Sequence, residues 1–329
     1  PKWQKENWGL EDIPIEVLEV IREELTSDNI ACAGDGSVLM GRAAHAWCIF
    51  RKNDYEIIHT SSATVGGNPR DVNSLRPETF GCIAAFSLLN MISATIPDLE
   101  ANVTYYTDSD NTVINSARLH LHDVSSVMEN DIDATIEMVR IIKKSKLKLS
   151  LKHVHGHQDR KKDEKDFTPL EKINILMDDI AGEHVRRLVE NDVYPQPMFL
   201  PSQQIGIRMH HSMVVANTED KIRANFYRND IQRHYNNTVK LPAECFNKIN
   251  WEGIRLATRS HKNRRQLLKC LHNQWPVLDR SHKWGISDSN ICKLCHDNIE
   301  TWQHVLQCTS VHMTRCRDDS ICSIKKELT

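Results

Sequence analysis

Three strand patterns follow one another with no helix between them, and every later strand is reached through one. The runs 30–34, 42–50 and 56–62 are apolar or alternating and are separated by turn residues, which reads as a three-strand meander. A helical pattern covers 77–90, followed by the strand Val103-Thr104-Tyr105-Tyr106-Thr107, a short helix, and an amphipathic helix over 132–142. Leu147-Lys148-Leu149-Ser150-Leu151-Lys152 alternates cleanly as a fifth strand, and a last helix starts near Pro169. A meander that gives way to strands joined through helices describes an α/β fold built on one mixed sheet.

Acidic residues stand at the landmarks of this pattern. Asp35 lies in Ile30-Ala31-Cys32-Ala33-Gly34-Asp35-Gly36-Ser37, an apolar run that passes into turn residues, and is expected near the end of the first strand. Glu78 follows the first-turn proline Pro77 and shares a helical stripe with Cys82, Ala85 and Leu89, so it faces inward. Asp108 ends the strand 103–107, ahead of a helix start at Ser109-Asp110-Asn111. On the last helix two neighbours compete. Asp178 shares its stripe with Asn174, Ala181 and Val185, whereas Asp179 shares one with Ile175, Gly182, Glu183 and Arg186; the second is the more solvent-like, which assigns Asp178 to the site. An acid at a strand end is more often a turn or cap residue than a ligand. Several carboxylates brought together are costly unless cations neutralise them, so this set points to Mg²⁺ or Mn²⁺.

Charge divides the chain. Residues 1–190 carry 22 Lys+Arg against 31 Asp+Glu, a balance of −9, and residues 191–329 carry 20 against 13, a balance of +7. A basic second half suits a polyanion, and bound metal would offset part of the acidity of the first. Tyr194-Pro195-Gln196-Pro197, with Pro201 behind it, reads as a linker over 191–205. The expected organisation is a lead-in segment over 1–28, a domain over 29–190, that linker, and a basic helical region over 206–329 with the block Arg255, Arg259, Lys262, Arg264, Arg265 and Lys269. No run approaches the roughly 20 apolar residues of a membrane span, and no membrane partner is expected. Cys32, Cys48 and Cys82 read as small buried hydrophobes. Cys292, Cys295, Cys308, Cys316 and Cys322 crowd the end of the chain beside His296, His304 and His312, which suggests metal in a reducing compartment, an intracellular setting in cytoplasm or nucleus. Cys316 and Cys322 read as spare thiols, and His120 and His122 as ordinary loop histidines.

Taken in order, Asp35-Gly36-Ser37, Arg76-Pro77-Glu78, Tyr106-Thr107-Asp108-Ser109, His153-Val154-His155-Gly156-His157 and Met177-Asp178 resemble the type 1 ribonuclease H domain, in the form carried at the end of non-LTR-type retroelement reverse transcriptases. The resemblance implies a ribonuclease H-like five-stranded mixed sheet with flanking helices, two Mg²⁺ ions, and hydrolysis of the RNA strand of an RNA–DNA hybrid. It carries the four catalytic carboxylates onto Asp35, Glu78, Asp108 and Asp178, and the product-release histidine onto His157. His155 stands where the family pattern has a lysine, and about twenty residues separate His157 from Asp178, roughly twice the compact spacing.

Cys292-Lys293-Leu294-Cys295 followed by His304-Val305-Leu306-Gln307-Cys308 supplies three thiolates and an imidazole. Two residues between the first pair let both sulfurs reach one ion, and the His-x₃-Cys pair projects from one face of a helical turn, a spacing that suits one Zn²⁺ over 292–308. This portion, with Glu300-Thr301-Trp302-Gln303 ahead of His304, is similar to the zinc-binding segment that follows the nuclease in such polyproteins, which implies an upstream reverse transcriptase domain as a partner. Two rival readings are a transposase or integrase of the same superfamily and an inactive retroelement relic that only binds nucleic acid. The glutamate on the first helix and the Gly-His loop speak against strand transfer, and four intact acids speak against decay.

Overall fold

The structure, a computed structural model, describes residues 2–68, 71–118, 128–160, 162–195, 199–203, 206–209, 212–239, 242–251, 253–254, 265, 268–269 and 274–328. Arg255, Arg259, Lys262 and Arg264 of the basic block lie outside the described residues, as do His120, His122 and Cys270 and the side chain of Cys322. The described chain forms two compact units, residues 1–221 and 222–329. Among the described residues no helix is long and apolar enough to cross a membrane.

The first unit opens with helices α1 (Lys2–Trp8) and α2 (Ile15–Thr26), then the meander β1 (Ile30–Leu39), β2 (Arg42–Arg51) and β3 (Ile57–Val65). Helix α3 (Leu75–Ser93) leads to β4 (Asn102–Thr107), α4 (Asp110–Ser116), α5 (Ile132–Lys144), β5 (Lys148–His153) and the long α6 (Pro169–Glu190). The sheet order is β3-β2-β1-β4-β5. β1 pairs antiparallel with β2, and β2 with β3, while β4 runs parallel to both β1 and β5. This is the five-stranded mixed sheet with flanking helices expected from the element pattern.

Alternation along the strands assigns the two faces. Cys32, Trp47, Ile49, Val103 and Tyr105 join a core with Phe80, Phe86 and Leu89 of α3, Met138 of α5, and Trp8, Ile21 and Leu25 of the two leading helices. Ala31, Ala33, Ala46, Cys48 and Phe50 face the other way, against Ile173, Met177 and Ala181 of α6. Helix α3 is buried nearly all round, as a helix packed between a sheet and other helices must be.

One expectation is corrected. β1 does not end near Asp35; it runs on to Leu39 and turns at Met40 and Gly41, both with positive φ (48° and 74°). Asp35 is therefore mid-strand, paired with Ala46. The glycines beside it answer a packing need. A Cβ on Gly36 would lie 2.6 Å from the backbone nitrogen of Glu78, so its absence lets the start of α3 lie directly on β1.

The first unit continues past α6. Gly67 N–H donates to Pro195 O (3.1 Å), Leu200 is buried in the α3-side core, and the short pair β6 (Arg208–Met209) and β7 (Ser212–Met213) follows. In the remaining chain lie α7 (Thr218–His234), α8 (Ala243–Lys248), α9 (Leu278–Lys283), α10 (Trp302–Gln307) and α11 (Val311–Leu328), so the C-terminal region is mainly helical. Tyr235, Phe246 and Trp251 form a small aromatic cluster in it, with Phe246 and Trp251 ring centroids 4.7 Å apart.

Candidate metal centres

Three elements meet where β1 and β4 run side by side. Asp35 comes from the middle of β1, Glu78 from the first turn of α3, and Asp108 from the residue after β4. Carboxylate oxygens of the three lie within 4.8 Å of one another, and Asp35 and Glu78 are nearly inaccessible to solvent. The Oδ1 of Asp35 accepts from Gly36 N–H (2.6 Å), and the hydroxyl of Thr107 donates to Glu78 Oε2 (3.1 Å). Thr107 in turn accepts from Ser109 N–H (3.1 Å), and Ser109 caps α4 by accepting from Thr112 N–H.

The electrostatics of the trio follow from crowding in a dry place. Burial pushes the Asp35 carboxyl up to about 6; a hydrogen bond with Glu78 opposes this, while Asp108 and Asp178 add repulsion. Glu78 is raised well above the usual carboxylate range, first by burial and then by Asp35. Asp108 is raised by burial, an effect that His157 partly offsets and Asp178 reinforces. Without cations these acids hold protons that ordinary carboxylates would have lost. Three hard oxygen donors gathered in so small a space fit a divalent metal of the Mg²⁺ class.

Asp178 stands at the edge of the trio. Its side chain is 42% exposed, and it approaches His157, whose Nδ1 is 3.7 Å from its Oδ2. Asp179 is exposed, whereas Asn174, Ala181 and Val185 are buried, as the stripe comparison expects. The loop that carries His157 is drawn in by Val154 N–H donating to Thr107 O (2.9 Å). A side chain at Gly156 would overlap the Asp108 carboxylate, so only glycine permits this approach. His155 packs edge-on against His153 (5.6 Å between centroids), and His153 Nε2 lies 3.6 Å from Asp110 Oδ1.

Two residues absent from the sequence-based site belong to its geometry. Asn174 is 2% exposed, hydrogen-bonds Asp108 and has a buried Oδ1 without a partner. Its position one turn before Asp178 was a visible signal. Thr107, next to Asp108, carried no signal beyond adjacency.

In the second unit, Cys292, Cys295, His304 and Cys308 bring their ligand atoms within 4.8 Å of one another. Cys292 and Cys308 sulfurs are 4.0 Å apart, and Cys295 Sγ is 3.3 Å from His304 Nε2. The knuckle is shaped by a bridge between Ile291 and Ile299 and by His296 at φ 61°, and Thr301 caps α10 through His304 N–H (3.0 Å). The hydroxyl and backbone of Ser310 lower the Cys308 thiol, backbone N–H groups led by Asp297 lower that of Cys295, and burial raises that of Cys292. Three sulfurs and one imidazole in this compactness fit a structural zinc site. Cys316 lies apart from this group, 4.0 Å from His312 Nε2.

No protein-family model matches the chain, and no curated protein matches it in sequence. Among solved structures, a ribonuclease H1 isolated from compost by a metagenomic approach is similar over 49% of this chain and 99% of its own, at 16% identity and a TM-score of 0.35. The N-terminal ribonuclease H domain of a Mycobacterium tuberculosis protein covers 50% of this chain and 98% of that one, at 13% identity and 0.33. The prototype foamy virus protease-reverse transcriptase is matched over 47% of this chain and 20% of its own length, at 19% identity and 0.32.

Proposed function

We propose that the chain is a metal-dependent endoribonuclease that cleaves the RNA strand of RNA–DNA hybrids, with Asp35, Glu78, Asp108 and Asp178 as its metal ligands. The observation that carries this is the convergence of Asp35, Glu78 and Asp108 within 4.8 Å, with carboxyl groups that burial and mutual repulsion hold above their usual pKa. The substrate class comes from the ribonuclease H resemblance of the five motifs in chain order. These carboxylates would hold Mg²⁺ or Mn²⁺, which when bound would supply an activated water and stabilise the leaving oxygen of a phosphodiester.

The protein's own contribution is positional. Asp35, Glu78 and Asp108 are fixed by β1, α3 and β4, and Asp178 offers a more exposed carboxylate on the open side. Asn174 holds Asp108 in place through its amide. His157, half-exposed beside Asp178, is suited to move a proton at the departing phosphate and to speed its release. Selectivity for the hybrid rests on groove shape and 2′-hydroxyl contacts, since base edges in A-like duplexes are poorly accessible. Cys292, Cys295, His304 and Cys308 hold one Zn²⁺, and the basic second half grips phosphates. The same resemblance supports an upstream reverse transcriptase domain of the same polyprotein as a partner.

The test is cleavage of a labelled RNA–DNA hybrid with Mg²⁺, beside RNA and DNA duplex controls. Hybrid-selective cutting lost in Asp108→Asn and Asp178→Asn but kept in Asp179→Asn supports the reading, and His157→Ala should slow steady-state turnover more than the first cleavage. DNA strand joining, no cleavage at all, or Asp179→Asn as damaging as Asp178→Asn would overturn it.

A further inference from the structure

We propose that Asp131 and the segment 213–221 form a clasp that positions Glu78, so that chain beyond the last helix of the sheet domain takes part in building the metal site; this rests on the metal-site reading above. Arg76 lies in the first turn of α3, two residues before Glu78, and its side chain is 1% exposed. Its Nε donates to Gly66 O (2.9 Å), Nη1 to Asp131 Oδ1 (3.2 Å), and Nη1 and Nη2 to the two oxygens of Asp133 (2.9 and 3.0 Å). The start of α3 is thereby tied to Gly66, just past the end of β3, and to the start of α5.

Asp131 is the hub of this arrangement. Its second oxygen accepts from Asn73 Nδ2 (2.7 Å), and its own N–H donates to Val215 O (2.7 Å). It stands at φ 54°, a left-handed conformation that residues other than glycine seldom adopt unless their surroundings hold them there. What holds it is the later segment. Met213, Val215 and Ala216 are buried, Asn217 N–H donates to Asn130 Oδ1 (2.8 Å), and Asn217 Nδ2 donates to Asp71 Oδ1 (3.1 Å). The Lys221 ammonium pairs with the other oxygen of Asp71. One short stretch of chain thus ties down Asp71, in the segment that leads into α3, and Asn130–Asp131, the latter a carboxylate that grips Arg76.

A ligand carboxylate works only if its support holds it within about half an ångström of the productive position. Groups that hydrogen-bond a ligand directly are commonly worth about 10–100-fold in metal affinity, and the clasp acts one step further out, through the first turn of α3, so the low end of that range is expected. A role in stability alone would shift the unfolding midpoint and leave the metal unaffected.

The experiment uses full-length Asp131→Asn and the double variant Asn217→Gly, Lys221→Met, which loosens the clasp without burying an unpaired charge at Arg76. Hydrogen exchange over residues 75–79 and Mn²⁺ binding by calorimetry are read beside steady-state hybrid cleavage. Faster exchange at 75–79 with β1 unchanged, Mn²⁺ affinity down about tenfold, and a fall in kcat at constant KM are expected in both. Parent-like exchange at 75–79 and parent-like Mn²⁺ affinity in the double variant would overturn the clasp, even if Asp131→Asn fails to fold. Asp35→Asn in the otherwise unaltered chain separates the two ideas: if it still binds Mn²⁺ as the parent does, the metal-site reading fails, while exchange at 75–79 still judges the clasp.

Discussion

Asp35 holds its charge in a place that resists it, and the resistance is measurable in the metal-free protein. A carboxyl raised to about 6 from 3.8 is a folded-state group that prefers its proton, so the apo protein loses stability as pH rises through that interval. At neutral pH the penalty is on the order of 2–3 kcal/mol. Asp35→Asn is therefore expected to raise the apo unfolding temperature by several degrees while removing activity, and a lowered midpoint would contradict the electrostatic account. His45 gives the opposite sign. Its Nε2–H donates to Asn7 O (3.0 Å), Nδ1 is buried without a partner, and burial lowers its pKa to about 4 from 6.5. A depressed histidine contributes stability above the unfolded pKa that is lost as pH falls from about 6.5 toward 4. Between pH 8 and pH 5 the loss is about 2 kcal/mol. Asp35 shifts stability the other way over the same interval in both proteins, so denaturant unfolding at the two pH values should show the parent losing about 2 kcal/mol more than His45→Gln; equal changes would remove His45 from the account. Sequence patterning could place Glu78 because an acid on an apolar stripe has only one direction to face. It could not reveal His45, because nothing in Arg42-Ala43-Ala44-His45 announces that Asn7, far away in sequence, supplies the carbonyl its ring donates to.

Helix α6 shows an element whose start is written locally and whose consequence is not. Thr168 accepts from Glu171 N–H (3.3 Å) and Glu171 Oε2 accepts from Thr168 N–H (2.9 Å), a capping box with Pro169 at the first helical position. That start fixes the phase of the whole helix and hence points Asn174, Ala181 and Val185 inward with Asp178 at their edge. Thr168→Ala is expected to cost about 1 kcal/mol, a fall of roughly 2–4 °C in the unfolding midpoint for a unit of this size. No change would mean that packing against β1 and β2, rather than the cap, sets where α6 begins. Strand β1 is the contrasting case. Gly34, Gly36 and Ser37 have the composition of a turn, so local chemistry ends the strand at Asp35; the close approach of α3 explains why glycine is there and why the strand continues.

Across the whole molecule, the two candidate metal sites stand on different physical supports. The apolar residues in and beside the Cys292–Cys308 knuckle, Ile291, Leu294, Ile299 and Leu306 among them, are substantially exposed, so packing contributes little to it. Zinc in such a motif contributes on the order of 10 kcal/mol of folding free energy. Chelation of the full chain should open residues 292–308 to protease while the sheet core survives; protection that persists after zinc removal would show that the knuckle stands on packing alone. The +7 balance of residues 191–329 was readable from composition. That residues 199–221 pack with the first unit was not, because Pro195, Pro197 and Pro201 look like punctuation whether or not the chain between them is anchored. The parallel pairing of β1 with β4 also has a kinetic consequence. The antiparallel hairpins of β1, β2 and β3 close short loops, whereas Cys32 meets Tyr105 only after the chain between them has folded back, and long-range pairings form late because their loop entropy must be met first. The acidic trio takes one residue from β1 and one from just after β4, so it is complete only after that slow step. Saturating Mg²⁺ should then leave the refolding rate nearly unchanged and slow unfolding instead, since interactions absent from the transition state act on the unfolding limb. A stopped-flow chevron in which Mg²⁺ moves the folding limb would mean the trio assembles early. Otherwise the metal makes the fold long-lived without making it quick to form.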